Sequence, residues 1–195
     1  TGVNVRSSSF SEINNSKIYY NMNSGIVGHY DNSTVNVIGN QVYNNLGDGI
    51  VISNSQYVRN NTVVGNTQIG IRVDGSANEF RNNVIYNNGY EGLTIDGNVN
   101  TTSFGNNCIN NIGSLDNNDI PYYGLLVTVN ANGDSVDTWG NLFINPMLTN
   151  IDNGDFAPLE GSPLIDAGHP NYFDPDGSIS DIGAIYFDQG TTPPI

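Results

Sequence analysis

A repeated unit constrains what this chain can fold into more than any other feature. Each unit opens with a glycine followed by alternating apolar residues, and paired asparagines come later. The opening glycines are Gly2, Gly25, Gly49, Gly70, Gly92 and Gly124. Subtraction puts them 23, 24, 21, 22 and 32 residues apart, so the last unit carries an insertion. A fixed period of this size is typical of stacked solenoids, in which each unit completes its core against its neighbours.

The apolar positions within each unit predict three short strands. Residues one and three places after each glycine are apolar, with an interruption only at Gly28, which is the period of a strand with one buried face. Two more apolar columns are Ile13, Val37, Val58, Phe80, Phe104 and Trp139, and Ile18, Val42, Val63, Ile85, Ile109 and Phe143. Polar stretches such as residues 53–55 are predicted to be loops between strands. We therefore expect an all-β solenoid of about six coils with parallel strand pairing.

Asparagine is the side chain that is best suited to this stacked geometry. Successive coils lie ~4.8 Å apart, so identical side chains sit above one another. An amide in such a column donates to one neighbouring coil and accepts from the other. The sequence predicts a ladder of Asn40, Asn61, Asn83 and Asn107.

Composition narrows the classes of partner. The chain of 195 residues carries 19 Asp and Glu against 5 Lys and Arg, a formal net charge of -14. Nucleic acid and anionic membranes are poor partners for such a surface. Its one cysteine, Cys108, excludes an internal disulfide, and no apolar run reaches the ~20 residues of a membrane span. With no histidine near it in the pattern, Cys108 is predicted to be an inert strand residue.

The repeat also predicts the order of segments. Coils are expected over residues 1–146, a C-terminal cap of the same domain over 147–188, and a linker over 189–195. Residues 111–123 are predicted to form an insertion beside the solenoid. The chain opens inside a coil, so we expect it to continue upstream. An uncapped first coil has unpaired strand edges, which predicts end-to-end self-association.

The tail carries the most specific resemblance. Residues 161–168 (GSPLIDAG), 174–177 (DPDG) and 181–184 (DIGA) are similar to the closing segment of many secreted bacterial β-helix proteins. The repeats resemble those of the pectin-lyase-like class of right-handed parallel β-helices. The class includes polysaccharide lyases and other carbohydrate-active enzymes, so the resemblance implies this fold and an extracellular setting. Ser180 and Tyr186 depart from it, because relatives often have Arg and Glu there.

Lyases of this class, by resemblance, carry calcium-binding aspartates and a basic residue on the outward positions of the first strand. Here those positions bring together Arg72, Asp74 and Asp96. Stacked carboxylates ~5 Å apart need a cation, a shared proton or an arginine nearby. A metal or sugar site is one interpretation. The other, which we favour, is that Asp74-Gly75 and Asp96-Gly97 are turn pairs that end their strands.

Aromatic and basic side chains form two further candidate sites. Tyr19, Tyr43 and Tyr86 project from one column, where they would stack on sugar rings or serve as half-buried strand residues. Arg59 and Arg81 follow the second strand and would grip a uronate carboxylate or pair with Glu79. The surface ion pair is the simpler expectation.

Oxygen-bearing residues alternate in the tail as they do at the start of calcium-binding loops. Asp174, Asp176, Ser178 and Asp181 are candidate calcium ligands, with Ser180 between them. The alternative is an Asp-Gly turn whose carboxylates accept local amides. The sequence lacks the bidentate glutamate that usually closes such a loop.

Together these observations favour a secreted or cell-surface β-helix module that binds polysaccharide or has a structural role, without strong catalysis. One alternative is a calcium-dependent lyase or glycoside hydrolase fragment acting on acidic polysaccharide. Another is a module for end-to-end assembly.

Overall fold

The computed structural model describes residues 1–6, 10–28, 34–96, 98–99, 103–111 and 123–190. Apart from a short 3-10 helix at Ile151–Asn153, the regular structure of these residues is β-strand. Within them, no helix has the length and apolar character that crossing a membrane requires. The predicted insertion lies mostly outside the described residues, as do positions 191–195 of the predicted linker.

Among the described residues, fourteen strands build the solenoid. They are β1 (Val3–Val5), β2 (Phe10–Asn14), β3 (Lys17–Tyr19), β4 (Ile26–Gly28), β5 (Thr34–Ile38), β6 (Gln41–Tyr43), β7 (Ile50–Arg59), β8 (Thr62–Val64), β9 (Ile71–Arg81), β10 (Val84–Tyr86), β11 (Leu93–Ile95), β12 (Asn98–Val99), β13 (Phe104–Gly105) and β14 (Cys108–Asn110). All pair in parallel, in one sheet of nine strands and one of five. The five-stranded sheet runs β3, β6, β8, β10 and β14.

The strand register confirms the predicted columns. Ile50 pairs with Ile26 on one side and with Ile71 on the other. In the five-stranded sheet Val63 pairs with Val42 and Ile85. These columns fill the interior of the solenoid, where most of the members from the second coil onward are fully buried.

The prediction of three separate strands in every unit was wrong for the third and fourth coils. β7 and β9 each run through the first and second strand positions, so residues 53–55 lie inside β7 instead of in a loop. Asp74 and Gly75 likewise lie inside β9, which rules out the turn that we favoured there. The register shifts by one residue beside Ser53, and Gly75 allows it because a Cβ there would meet the Ser53 carbonyl oxygen.

The chain makes about four full turns between β1 and β11, so the expectation of six coils was too high. In the unit opened by Gly124, Leu125 and Val127 are more than half exposed instead of buried. β15 (Thr128–Val129) and β16 (Ser135–Val136) pair antiparallel with each other. Their backbone groups are therefore satisfied within a hairpin and are not offered to β11. Only the end of this unit rejoins the stack, where Leu142 bridges to Cys108.

Two asparagine ladders run along the solenoid, one more than the sequence predicted. The predicted ladder holds, with Nδ2 of each residue donating to Oδ1 in the following coil, and it extends to Asn141. The second ladder consists of Asn21, Asn45, Asn66, Asn88 and Asn111. Asp137 ends the first ladder, since its buried carboxylate accepts from the backbone and side chain of Asn141.

The backbone conformation explains why asparagines occur in pairs in this sequence. The residue before each ladder asparagine except Asn111 has a left-handed backbone, as at Asn60 (φ 52°) before Asn61 and Asn82 (φ 54°) before Asn83. Asparagine and glycine tolerate this conformation better than other residues. In pairs such as Asn60-Asn61 and Asn82-Asn83, the first asparagine thus makes the turn and the second forms the ladder.

The C-terminal segment (residues 147–190) lies along the outer side of the five-stranded sheet. It includes the antiparallel strands β17 (Leu148–Asn150) and β18 (Asp155–Pro158). Phe156 packs on Tyr43 and Val64, while Ile182 joins Val84 and Cys108 in another buried cluster. Tyr123, Trp139 and Phe143 instead pack on the interior core beyond Phe104. At the opposite end β1, β2 and β3 are edge strands of their sheets, and self-association through them stays a prediction.

Candidate functional site

The predicted first-strand site is only partly assembled. Arg72 Nη2 lies 3.2 Å from Asp48 Oδ2, so this guanidinium has a carboxylate partner that the sequence pattern did not indicate. Its buried Nε has no hydrogen-bond partner among the residues that the structure describes. Asp96 follows Ile95, which pairs with Val73, so Asp96 lies in the coil next to Asp74 as predicted. Val51 occupies the outward position paired with Arg72, which leaves this strand face apolar beside the charges.

The tyrosine column is divided by the C-terminal segment. Tyr19 and Tyr43 stack with ring centroids 4.8 Å apart, but Tyr43 is only 7% exposed because Phe156 packs edge-on against it. Tyr86 packs against the same segment. Tyr19 remains 48% exposed, beside Tyr20. The column therefore presents one accessible aromatic position in the first coil, not a continuous row of rings.

The predicted calcium ligands accept hydrogen bonds from nearby backbone amides. Asp174 Oδ2 accepts from Asp181 N at 2.8 Å, and Asp176 Oδ1 accepts from Ser178 N at 3.0 Å. The two oxygens of Asp181 accept from Asp166 N and Phe187 N. In the described part of the chain, no group of three or more His, Cys, Asp or Glu side chains has an arrangement that could hold a metal. Calcium binding here stays a prediction.

Electrostatics in this loop are nevertheless unusual. Burial is the main cause that raises the pKa of Asp174 to about 6; the carboxylates of Asp181, Asp176 and Asp166 contribute to the rise, and the hydrogen bond from Asp181 N opposes it. Burial also raises the pKa of Asp181. Hydrogen bonds from Ser178 instead lower the pKa of Asp176. Within the described part of the chain, Asp166 Oδ1 is buried without a hydrogen-bond partner. The carboxylates of Asp166, Asp174, Asp176 and Asp181 thus lie close enough to interact electrostatically.

Cys108 is fully buried beneath the C-terminal segment. Burial raises the pKa of its thiol to about 12, so the thiolate is not populated near neutral pH. This agrees with its predicted inert role.

Sequence reasoning missed a surface cavity that combines exposed aromatic rings with polar groups. We call it the aromatic pocket, a cleft of about 550 Å³ between the C-terminal segment and the turns of the first three coils. Its characteristic lining residues are Arg59, Asn60, Tyr172, Phe173, Asp174 and Tyr186. Phe173 is 66% exposed and Tyr186 is 37% exposed, so both rings border the cleft without being buried by the protein itself.

A hydrogen-bond network holds one wall of the aromatic pocket. Arg59 Nη1 lies 3.3 Å from Glu79 Oε1, which is the ion pair that the sequence favoured. The Tyr172 hydroxyl donates to Glu79 at 2.9 Å. The Arg59 guanidinium also lies 4.8 Å from the ring centre of Tyr57 and 5.3 Å from that of Tyr172. These contacts fix Tyr172 against the solenoid and compensate the charge of Arg59.

One signal in the sequence pointed to this pocket. Tyr186 stands where similar tails have glutamate, and its ring lines the cleft. Phe173 carried no comparable signal, since it lies in the tail outside the repeat columns. Arg59 was a candidate site residue, but the sequence did not indicate its contact with Tyr172, which lies 113 positions away.

The fold defines a parallel β-solenoid with a ligand-sized cleft on its side. The profile of the family described as right handed beta helix region matches residues 1–143 of the chain. The protein belongs to this right-handed β-helix family. No curated protein and no solved structure matches the chain at a significant level.

Proposed function

We propose that this β-helix module binds a neutral polysaccharide in the aromatic pocket, in an extracellular setting and without strong catalysis of its own. The observation that carries the proposal is the pair of exposed rings, Phe173 and Tyr186, on the walls of one cleft. Soluble proteins seldom leave clustered aromatic surface unburied without a ligand or partner for it. Aromatic rings combine a broad apolar face with low conformational freedom, which suits packing on the apolar face of a sugar ring.

Polar groups in the same pocket support recognition of hydroxyl groups. Ligand clefts pair apolar walls with a few directional donors and acceptors. Asn60 and Asn171 line the cleft with amides, and Asp174 adds a carboxylate. An amide both donates and accepts, as a sugar hydroxyl does.

Charge favours a neutral ligand over a uronate. The chain carries a net charge of -14, and Asp174 and Asp181 both line the pocket. Arg59 is already paired with Glu79, so it offers little net attraction to an anion. A polyanion would meet repulsion at this surface.

Binding to a panel of soluble polysaccharides tests the proposal. Galactomannan, xylan and β-glucan represent neutral polymers, while polygalacturonate and alginate represent acidic ones. We expect at least one neutral polymer to bind in affinity electrophoresis and calorimetry. Phe173→Ala and Tyr186→Ala should each weaken that binding about tenfold, equivalent to ~1.4 kcal/mol.

Tyr90→Ala is the matched control, because Tyr90 is 56% exposed but does not line the pocket. It should leave the affinity unchanged. The proposal fails if none of the neutral polymers binds, or if Tyr90→Ala weakens binding as much as the two pocket variants.

A further inference from the structure

A row of left-handed residues marks one corner of the solenoid. Each of these residues directly precedes a residue of the first asparagine ladder. The exception is Asn15, which precedes Ser16, and Ser16 N donates to Asn40, the first member of that ladder. The row consists of Asn15, Gly39, Asn60, Asn82, Asn106 and Gly140, with φ between 47° and 77°. Because coils stack ~4.8 Å apart, the row is a straight feature along the solenoid axis.

The C-terminal segment is fastened to this row at Asn82. Asn82 Nδ2 donates to Ser180 Oγ at 2.9 Å, and Asn82 Oδ1 accepts from His169 N at 2.9 Å. The Asn82 carbonyl accepts from Gly183 N at 2.8 Å. This crossing divides the row into two parts.

A cleft lies on each side of the crossing. The aromatic pocket reaches Asn15, Gly39 and Asn60 on one side. A second cleft of about 420 Å³ reaches Asn106 and Gly140 on the other. We call it the tryptophan pocket, and its characteristic lining residues are Thr128, Val129, Asn130, Thr138, Trp139 and Asp166.

The tryptophan pocket combines apolar and hydrogen-bonding groups. Trp139 borders it while packing on the interior core, Thr138 supplies an exposed hydroxyl and Asn130 an amide. Val129 is 60% exposed and adds apolar surface at the rim. Both clefts therefore lie on the row and pair apolar surface with hydrogen-bonding groups, and the aromatic pocket adds two exposed rings.

We propose that the two pockets are subsites for one polysaccharide chain that runs along the row and passes over the crossing at Asn82. This inference rests on the proposed function and specifies its ligand as an extended polymer. Asn60 and Asn106 are two coils apart, about 10 Å, so a short oligosaccharide fills one pocket while a polymer occupies both. Occupying the second site without a new diffusional encounter raises the overall affinity.

The test compares each neutral polymer of the panel with its own disaccharide and longer oligosaccharides by calorimetry. The polymer should bind at least about tenfold tighter than the disaccharide, a modest gain for linked sites. Val129→Arg fills the rim of the tryptophan pocket without touching the core. It should reduce polymer affinity to the level of the disaccharide and leave disaccharide affinity unchanged.

Val127→Arg is the matched control, since Val127 is 57% exposed nearby but does not line the tryptophan pocket. It should leave both affinities unchanged, whereas Tyr186→Ala should weaken both. If Val129→Arg has no effect on polymer binding while Tyr186→Ala does, the two-subsite inference is overturned and the proposed function stands. Equal affinity for polymer and disaccharide would likewise overturn the two-subsite inference and leave the proposed function standing. Absence of binding by every probe overturns both proposals.

Discussion

Asn83 donates a hydrogen bond from Nδ2 to Oδ1 of Asn107 over 3.0 Å, and both side chains are fully buried. Asn83 Oδ1 in turn accepts from Asn61 in the preceding coil. Each amide in the ladder therefore depends on two neighbours, and the loss of one member leaves buried groups unpaired on both sides.

Replacing Asn83 with leucine should destabilise the protein strongly. Each buried polar group that loses its partner costs ~1–3 kcal/mol. Thermal and urea unfolding of Asn83→Leu should show a clear loss relative to wild type. Asn87→Gly is the control, because Asn87 is exposed and has a left-handed backbone that glycine adopts freely. An unfolding midpoint for Asn83→Leu equal to that of the control would contradict the claim that the buried ladder stabilises the protein.

A methyl group on the glycine column should also be costly. A Cβ at Gly49 would lie 2.6 Å from the Gly70 carbonyl oxygen and would also clash with Val63 Cγ1. Neither the next coil nor the packed core can move freely, so Gly49→Ala should cost ~1–3 kcal/mol of unfolding free energy. Val51→Thr, on the outward face of the same strand, should cost less. Equal effects of the two variants in urea titrations would argue against close coil contact as the reason for glycine.

The stability of the protein should fall as pH rises through the titration of Asp174. Its pKa is about 6 in the folded protein against an ordinary value of 3.8, so the folded state holds this proton more tightly than the unfolded state. Protonated Asp174 therefore contributes fully to the free energy of unfolding below pH 3.8, its ordinary pKa, and this contribution is lost as the pH rises through about 6. In the presence of a chelator, which removes divalent cations, the melting temperature of Asp174→Asn should decline less over this pH range than that of wild type.

Asp152→Asn serves as the control for that measurement, because Asp152 is exposed and remote from the carboxylate cluster in sequence. It should keep the wild-type pH profile. A profile for Asp174→Asn that is superimposable on wild type would show that Asp174 does not titrate in this range.

We propose that calcium binds the loop containing Asp174, Asp176, Ser178 and Asp181. A carboxylate oxygen that accepts one amide can still face a cation, and a divalent ion would relieve the repulsion among the carboxylates. A ligand at 100 times its Kd stabilises the folded state by ~2.7 kcal/mol. Calcium should therefore raise the melting temperature, and Asp176→Ala should abolish this response. Calorimetry without a binding signal at millimolar calcium would refute the proposal.

Incubation with polygalacturonate or alginate and calcium should not generate unsaturated ends that absorb in the ultraviolet. Arg72 is paired with Asp48, and the one lysine of the chain, Lys17, lies on the five-stranded sheet instead of beside Arg72. The absorbance assay should include Arg72→Ala. Product formation by wild type that this variant loses would support the lyase alternative.

The sequence by itself determined the repeating part of the protein. Glycine spacing and apolar columns correctly predicted parallel strands, their register and one asparagine ladder, because a residue such as Val63 repeats an environment that its neighbours Val42 and Ile85 also occupy. The second ladder was equally periodic and readable. Local rules failed where stacking overrode them, as at Asp74-Gly75, which a neighbouring coil holds in a strand.

Only the tertiary structure decided where the non-repeating residues lie. Asn82 meets Ser180 across 98 positions of chain, and no period relates them. Tyr43 is buried because Phe156 folds back onto it, and the aromatic pocket exists because Phe173 and Tyr186 are brought to one cleft. A repeat specifies contacts between equivalent positions, whereas contacts made once depend on how the whole surface of the solenoid packs against its C-terminal segment.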